Sequence, residues 1–143
     1  MIYTPATKKA MNICFDNHKD QMDKSGLPYV FHPFHLAEQM QDETTTVVAL
    51  LHDLIEDTPY TFEQLAEEGF SDEVIEAVRL LTHDDDDMPY EQYILRIKAN
   101  PIATAVKLAD LAHNSDTTRL DTVDAAAKKR LERYTQAKEI LLK

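Results

Sequence analysis

The sequence predicts an all-α protein, a compact bundle of seven or so helices. Three observations carry that expectation. Glycine occurs only twice in 143 residues, while Ala, Leu, Glu and Lys, which lose little on entering a helix, are common. Apolar residues recur at spacings of three and four along much of the chain. Nowhere do they alternate with polar ones as in a half-buried strand.

The elements follow in order. Thr4-Pro5 opens the first helix, with proline at the first helical position, and the segment runs to about His18. Lys19 to Phe31 breaks the period and carries Gly26 and Pro28 within KSGLPYV, which predicts a loop. His32-Pro33 begins a short helix through about Met40. From Thr44 to Asp57, Val47, Leu50, Leu51 and Leu54 fall at i, i+3, i+4 and i+7 and mark one apolar face of a single helix. Thr58-Pro59 ends it, because a residue before proline is pushed out of α geometry. Thr61 with Gln64 resembles a capping box, starting a helix that Gly69 stops. Ser71 caps another, with Val74, Ile75, Val78 and Leu81 facing inward. Pro89 to Ala99, Pro101 to Asn114 and Thr122 to Leu142 complete the set.

Length and charge bound what such a bundle can do. A chain of 143 residues suffices for one domain, 1–143, with a real core. The formal charge of −11 argues against binding to nucleic acid or to an anionic membrane. A phosphate-bearing ligand would need a cation between it and the protein's own carboxylates. Cys14 is the only cysteine, which excludes an intrachain disulfide and thiolate-rich metal sites; it reads as a core residue. No basic-then-apolar leader and no membrane-length apolar run occur, so a cytoplasmic protein is expected. The acidic run Asp84 to Asp87 reads as solvated surface, and the oligomeric state is not readable.

Two segments carry candidate chemistry. In ALLHDLIEDT, helical geometry turns His52, Asp53 and Glu56 away from the apolar stripe, with His52 over Glu56 and Asp53 over Asp57. This polar strip contains no Lys or Arg, and apolar Val48 and Ile55 flank it, as they would in a cleft. In PIATAVKLADLAHN, Ala105, Val106, Leu108, Ala109, Leu111 and Ala112 make the helix apolar nearly all round and predict its burial. Lys107, Asp110 and Asn114 cluster on one side of it. A buried carboxylate needs a partner. Asp110 could pair with Lys107, or it could join His52 and Asp53 around a metal ion. Imidazole with carboxylate suits Mn, Fe or Zn. Spacing nominates His52, Asp53 and Asp110 but leaves His32, His35 and His113 competing as a further ligand; His18 and His83 look peripheral.

The order His32, His52-Asp53, Asp110 resembles the HD superfamily of metal-dependent phosphohydrolases. KSGLPYVFHP, ALLHDLIEDT and VKLADLAHN are more specifically similar to the hydrolase domain of RelA/SpoT proteins and to small alarmone hydrolases, over about Ala10 to Tyr134. The resemblance implies an HD-type helical bundle holding one divalent ion, Mn²⁺ or else Fe²⁺ or Zn²⁺, through His32, His52, Asp53 and Asp110. It implies removal of the 3′-pyrophosphate from ppGpp or pppGpp, a small-molecule nucleotide. Glu56 and Asp57 match the pair that activates and positions water. Lys24, Asn114 and Tyr134 match nucleotide or phosphate contacts.

Departures from the family bear on the substrate. Three positions where relatives tend to be basic fall here at Met22-Asp23, Leu111 and Asp116. Lys19, Arg119 and Arg130 are candidates to compensate. Without a synthetase or regulatory domain, the chain would be expected only to destroy such nucleotides. Two alternatives stand beside this reading. One is an HD phosphohydrolase for another nucleotide or phosphorylated cofactor; the other is a non-catalytic nucleotide- or metal-binding module.

Overall fold

Side-chain caps begin most of the helices. In the computed structural model, which describes residues 1–143, Thr4 and Thr7 form a reciprocal capping box at the start of α1 (Pro5–His18). After the loop comes α2 (Phe31–Glu38). The Asp42 side chain accepts from the Thr45 N–H to open α3 (Glu43–Leu51), and a single turn, α4 (Leu54–Asp57), follows. Thr61 and Gln64 form the expected capping box on α5 (Phe62–Glu67), and Ser71 caps α6 (Asp72–Leu81). Next are α7 (Tyr90–Lys98) and α8 (Pro101–Asn114), the latter capped by Asn100. A 3₁₀ turn (Thr117–Arg119) leads to α9 (Ala125–Leu142). The fold is all-helical, as predicted, with nine α-helices in place of seven or so.

The core is built around α3, which packs against α1, α2, α6 and α8. Every residue from Thr45 to Leu51 is buried, so this helix has no polar face. The expectation of an amphipathic helix there is corrected: α3 is central and needs apolar or internally bonded residues all round. Its threonines comply, since the Thr46 hydroxyl donates to the Asp42 carbonyl.

The predicted helix Thr44–Asp57 is two helices. It breaks at His52-Asp53, where Asp53 adopts φ −106° and ψ 3°. In an unbroken helix adjacent side chains diverge by about 100°; leaving α geometry lets both turn toward one point. The last helix begins at Ala125, not Thr122, because Asp124 caps it by accepting from the Ala127 N–H. Helix α8 is less buried than predicted: Val106 and Leu111 enter the core, but Ala105 and Ala112 face solvent, where a methyl group costs little to expose.

The loop after α1 is tied down by backbone bonds between Asp23 and Leu27 and between Gln21 and Tyr29, with Gly26 at φ +84° in the turn. Asp23 shapes the turn by accepting from the Ser25 N–H, the Ser25 hydroxyl and the Leu27 N–H. Cys14 is buried, as expected, and burial foremost pushes its thiol up to about 12. No helix is long and apolar enough to cross a membrane.

Because Leu50 is fully buried in α3, Leu50→Ala is expected to lower unfolding free energy by about 2–5 kcal/mol in urea titrations. Leu95, half exposed at 50 % on α7, should lose less than about 0.5 kcal/mol when changed to alanine. Equal effects at the two positions would contradict the placement of the core.

Candidate metal centre

The end of α3 delivers an imidazole with its protonation pattern set. His52 Nδ1 lies 2.7 Å from the carbonyl of Ala49, one turn back, and donates to it. That bond makes Nε2 the nitrogen that faces another group, whether a proton or a cation. Nε2 is buried and makes no hydrogen bond of its own. It stands 3.1 Å from Asp53 Oδ2, out of line for a hydrogen bond, and 3.6 Å from Asp110 Oδ1, too far for one.

The other donors arrive from α2 and α8. His32, buried at the start of α2, brings Nε2 to 2.8 Å from Asp110 Oδ1. Asp110 is buried on α8, where Lys107 donates to Oδ2 at 2.9 Å and Asn114 donates to Oδ1 at 3.0 Å. The ion pair with Lys107 and the approach of the histidines, alternatives in the sequence, thus occur together on opposite sides of one carboxylate. Tyr29 donates its hydroxyl to Asp53 Oδ2. Burial and the charge of Asp53 both hold that phenol well above its usual range, so it remains a donor.

These separations test whether a cation fits. Two donors each about 2.1 Å from one ion stand about 3 Å apart when their bonds meet near a right angle. His32, His52 and Asp53 each bring a ligand atom within 4.8 Å of the others, with His52 and Asp53 3.1 Å apart, and Asp110 stands 2.8 and 3.6 Å from the two histidines, in keeping with such an arrangement. The buried Nε2 of His52 makes no hydrogen bond there and faces the two carboxylates across the same point. The His/Asp cluster fits a divalent metal ion.

Glu56 and Asp57 lie at the rim. Their carboxylate oxygens and one of Asp53 are all within 4.8 Å of one another. Glu56 Oε1 accepts from the backbone N–H of His83 at 2.6 Å, and the Asp57 carbonyl accepts from Gln21 Nε2 at 3.0 Å. Burial raises both carboxyls above their usual range, and the charge of Asp53 adds to it; Asp57 is pushed up to about 6. Both side chains nevertheless open to solvent.

Beside this centre is a cleft of about 300 Å³. Lys24, Asn114, Arg130 and Tyr134, nominated from separate parts of the chain, all line it, together with His32 and Tyr29. Lys19 does not. Of the compensating cations, Arg119 is committed: Nη1 is 3.5 Å from Asp23 Oδ2, and Nη2 donates to the His113 carbonyl at 3.0 Å. Asp116 spends its carboxylate on Thr118, and Leu111 is in the core rather than the cleft.

Several supporting residues escaped sequence reasoning. His18 and His83 are not peripheral. His18 is fully buried and its Nδ1 pairs with Gln21 Oε1 at 2.8 Å, so the run His18–Gln21–Asp57 links α1 to the rim. His83 stacks on Tyr93, with ring centres 4.5 Å apart, and its main chain holds Glu56. His113 is no part of the converging set; its Nδ1 meets His32 Nδ1 at 2.7 Å. His35 is exposed and lies against His113. Tyr29 was signalled only as part of KSGLPYV.

Protons and a cation compete here. Burial disfavours the imidazolium of His52, but the charge of Asp53 and the approach of Asp110 outweigh it and hold its pKa well above the usual value. A cation must displace that proton. Apparent affinity for Mn²⁺ is therefore expected to fall roughly tenfold per pH unit as pH is lowered below the pKa of His52, the slope for one displaced proton. Titrations across the pH range over which the protein stays folded check this; affinity independent of pH would contradict it.

No protein-family model matches the chain. It is 36 % identical over 138 residues to the guanosine-3′,5′-bis(diphosphate) 3′-pyrophosphohydrolase of Haemophilus influenzae, covering 85 % of this chain and 20 % of that protein. It is 33 % identical over 142 residues to the bifunctional (p)ppGpp synthase/hydrolase SpoT of Escherichia coli K12, covering 90 % and 20 %. A probable GTP pyrophosphokinase of Mycobacterium leprae matches at 36 % over 137 residues, covering 87 % and 17 %. The chain thus spans about a fifth of the length of the curated relatives it matches. The fold is similar to that of a metazoan SpoT ortholog described as hydrolysing ppGpp, with a TM-score of 0.73, 24 % identity, and coverage of 99 % of this chain and 86 % of that one. The chain is thus similar in sequence to these (p)ppGpp hydrolases over about a fifth of their length, and similar in fold to the metazoan SpoT ortholog.

Proposed function

We propose that the chain is a metal-dependent phosphohydrolase that removes the 3′-pyrophosphate from ppGpp or pppGpp, yielding GDP or GTP and pyrophosphate. The observation that carries this reading is the convergence of His32, His52, Asp53 and Asp110 beside a cleft bearing Lys24 and Arg130. Relatives named for this activity support it. On this reading the four residues hold one divalent ion, Mn²⁺ by the family resemblance, in a single cytoplasmic domain. When bound, such an ion polarises a phosphoryl oxygen and acidifies a water molecule.

The chain's own residues supply the rest. Glu56 and Asp57 take up the water proton and orient the attack; raised carboxyls are suited to a base working near neutral pH. The His83 N–H on Oε1 leaves Oε2 of Glu56 as the free oxygen. Lys24 and Arg130 meet phosphate charge that the net −11 of the chain would otherwise repel. Tyr134 gives the base or ribose a flat apolar surface at the cleft wall. Asn114 serves Asp110 and, through its place in the cleft, the nucleotide.

A second reading, hydrolysis of another nucleotide or phosphorylated cofactor, draws support from Asp23 and Asp116 in the cleft lining. Two carboxylates near the path of a polyphosphate favour a ligand with fewer charges away from the metal. A non-catalytic module is opposed by the Asp57 carboxylate, which makes no hydrogen bond in the fold, and by the free Oε2 of Glu56, whose Oε1 alone is held by His83.

Purified protein with Mn²⁺ and ppGpp is expected to release pyrophosphate. Asp53→Ala should lose both metal content and turnover. Glu56→Gln should keep the metal and lose turnover by about 10²–10⁴-fold. Phosphate release from other nucleotides or NADPH, with none from ppGpp, would move the assignment to the second reading. Metal loss in Glu56→Gln would mean that base and ligand have been confused.

A further inference from the structure

His32 has two ring nitrogens, and both are engaged in the interior. Nε2 faces Asp110 and the convergence point, whereas Nδ1 lies 2.7 Å from Nδ1 of His113. The two rings are nearly coplanar in orientation, 9° apart, with centres separated by 5.0 Å. This edge-to-edge approach puts both nitrogens in the plane of a hydrogen bond. A backbone carbonyl performs the corresponding task for His52. His32 sits in the first turn of α2, and its Nδ1 is turned to α8 instead.

We infer that His113 is a positioning residue for the metal centre, fixing the ring of His32 by accepting a hydrogen bond from its Nδ1–H. The inference rests on the metal-binding reading above and adds a residue to it. For Nε2 to offer a lone pair to a cation, the proton of a neutral His32 must be on Nδ1, and only His113 is there to accept it. His113 Nδ1 is then the acceptor, with its own proton on Nε2.

His113 is well placed to hold this role. It occupies the last turn of α8, three residues after Asp110 and next to Asn114, so one turn supports two donors from different helices. Its carbonyl accepts from Arg119 Nη2 at 3.0 Å, and its ring is backed by His35, with centres 4.2 Å apart. The turn that carries His113 is thereby tied to the Arg119–Asp23 pair in the cleft lining.

The test is Mn²⁺ affinity, read as free ion by electron paramagnetic resonance, together with the thermal unfolding of the metal-free protein. His113→Ala is expected to weaken affinity by about 10–100-fold. His113→Asn should recover most of it, because its amide oxygen reaches about where Nδ1 lies; His113→Gln, with its oxygen one bond further out, should not. If the alanine variant does not fold, the Asn-over-Gln order remains the deciding result. Affinity within twofold of wild type in His113→Ala, or equal affinity in the Asn and Gln variants, overturns the inference. Wild-type protein that binds no Mn²⁺ overturns the metal reading itself and this inference with it, a result distinct from wild-type binding with unaffected variants.

Discussion

A carboxylate buried in a helical bundle is costly unless its oxygens are matched, and Asp110 is matched from three directions. Lys107 and Asn114, on its own helix, take one oxygen each, and His32 reaches Oδ1 from α2. Removing Lys107 leaves a charge in the interior without its complement. The constraint propagates outward. Helix α8 must keep a fixed rotation against α2 and α3, and the loop before α2 must deliver Tyr29 and His32 together. This electrostatic coupling sits where α2, α3 and α8 meet. Asp110 holds the Lys107 ammonium well above its usual range and Lys107 holds the Asp110 carboxyl well below its own, each against burial.

This rigid centre borders an open, polar cleft, and the two parts differ in chemistry. The centre is built from buried and half-buried groups whose orientations are held by neighbours: Ala49 for His52, Tyr29 for Asp53, His113 for His32. The cleft wall is built from longer, more exposed side chains. There, Asp23 does more than subtract a positive charge. It organises the turn containing Lys24 and Ser25 and pairs with Arg119 across the cleft. Lys24 and Arg130 are left as the lining cations without a carboxylate partner. Charge is thus concentrated at the metal end, and any ligand must be recognised mainly through what it presents there.

Much of this was legible in the sequence. Caps at Thr4, Thr61 and Ser71 and the breaks at Gly69 and Pro59 are local signals, and local hydrogen bonding decides them. The nominated donors were readable because a buried Asp amid alanines and a His-Asp pair beside an apolar stripe are each hard to satisfy without a partner. The break between α3 and α4 was not readable, because the pattern around His52 is periodic and only tertiary contacts pull Asp53 out of helical geometry. His18 and His83 looked peripheral because each stands at the end of an element, where burial depends on what packs across it. The pairing of His32 with His113 joins residues 81 apart in sequence, and no spacing rule encodes it.

The central claim is that four side chains from three regions of the bundle hold one divalent cation. The most direct test is anomalous scattering at the manganese edge from crystals grown with Mn²⁺. The account predicts one strong peak within about 2.0–2.3 Å of His32 Nε2, His52 Nε2 and a carboxylate oxygen from each of Asp53 and Asp110. A peak confined to Glu56, Asp57 or the Asp84–Asp87 run, with none between the two histidines, would contradict it.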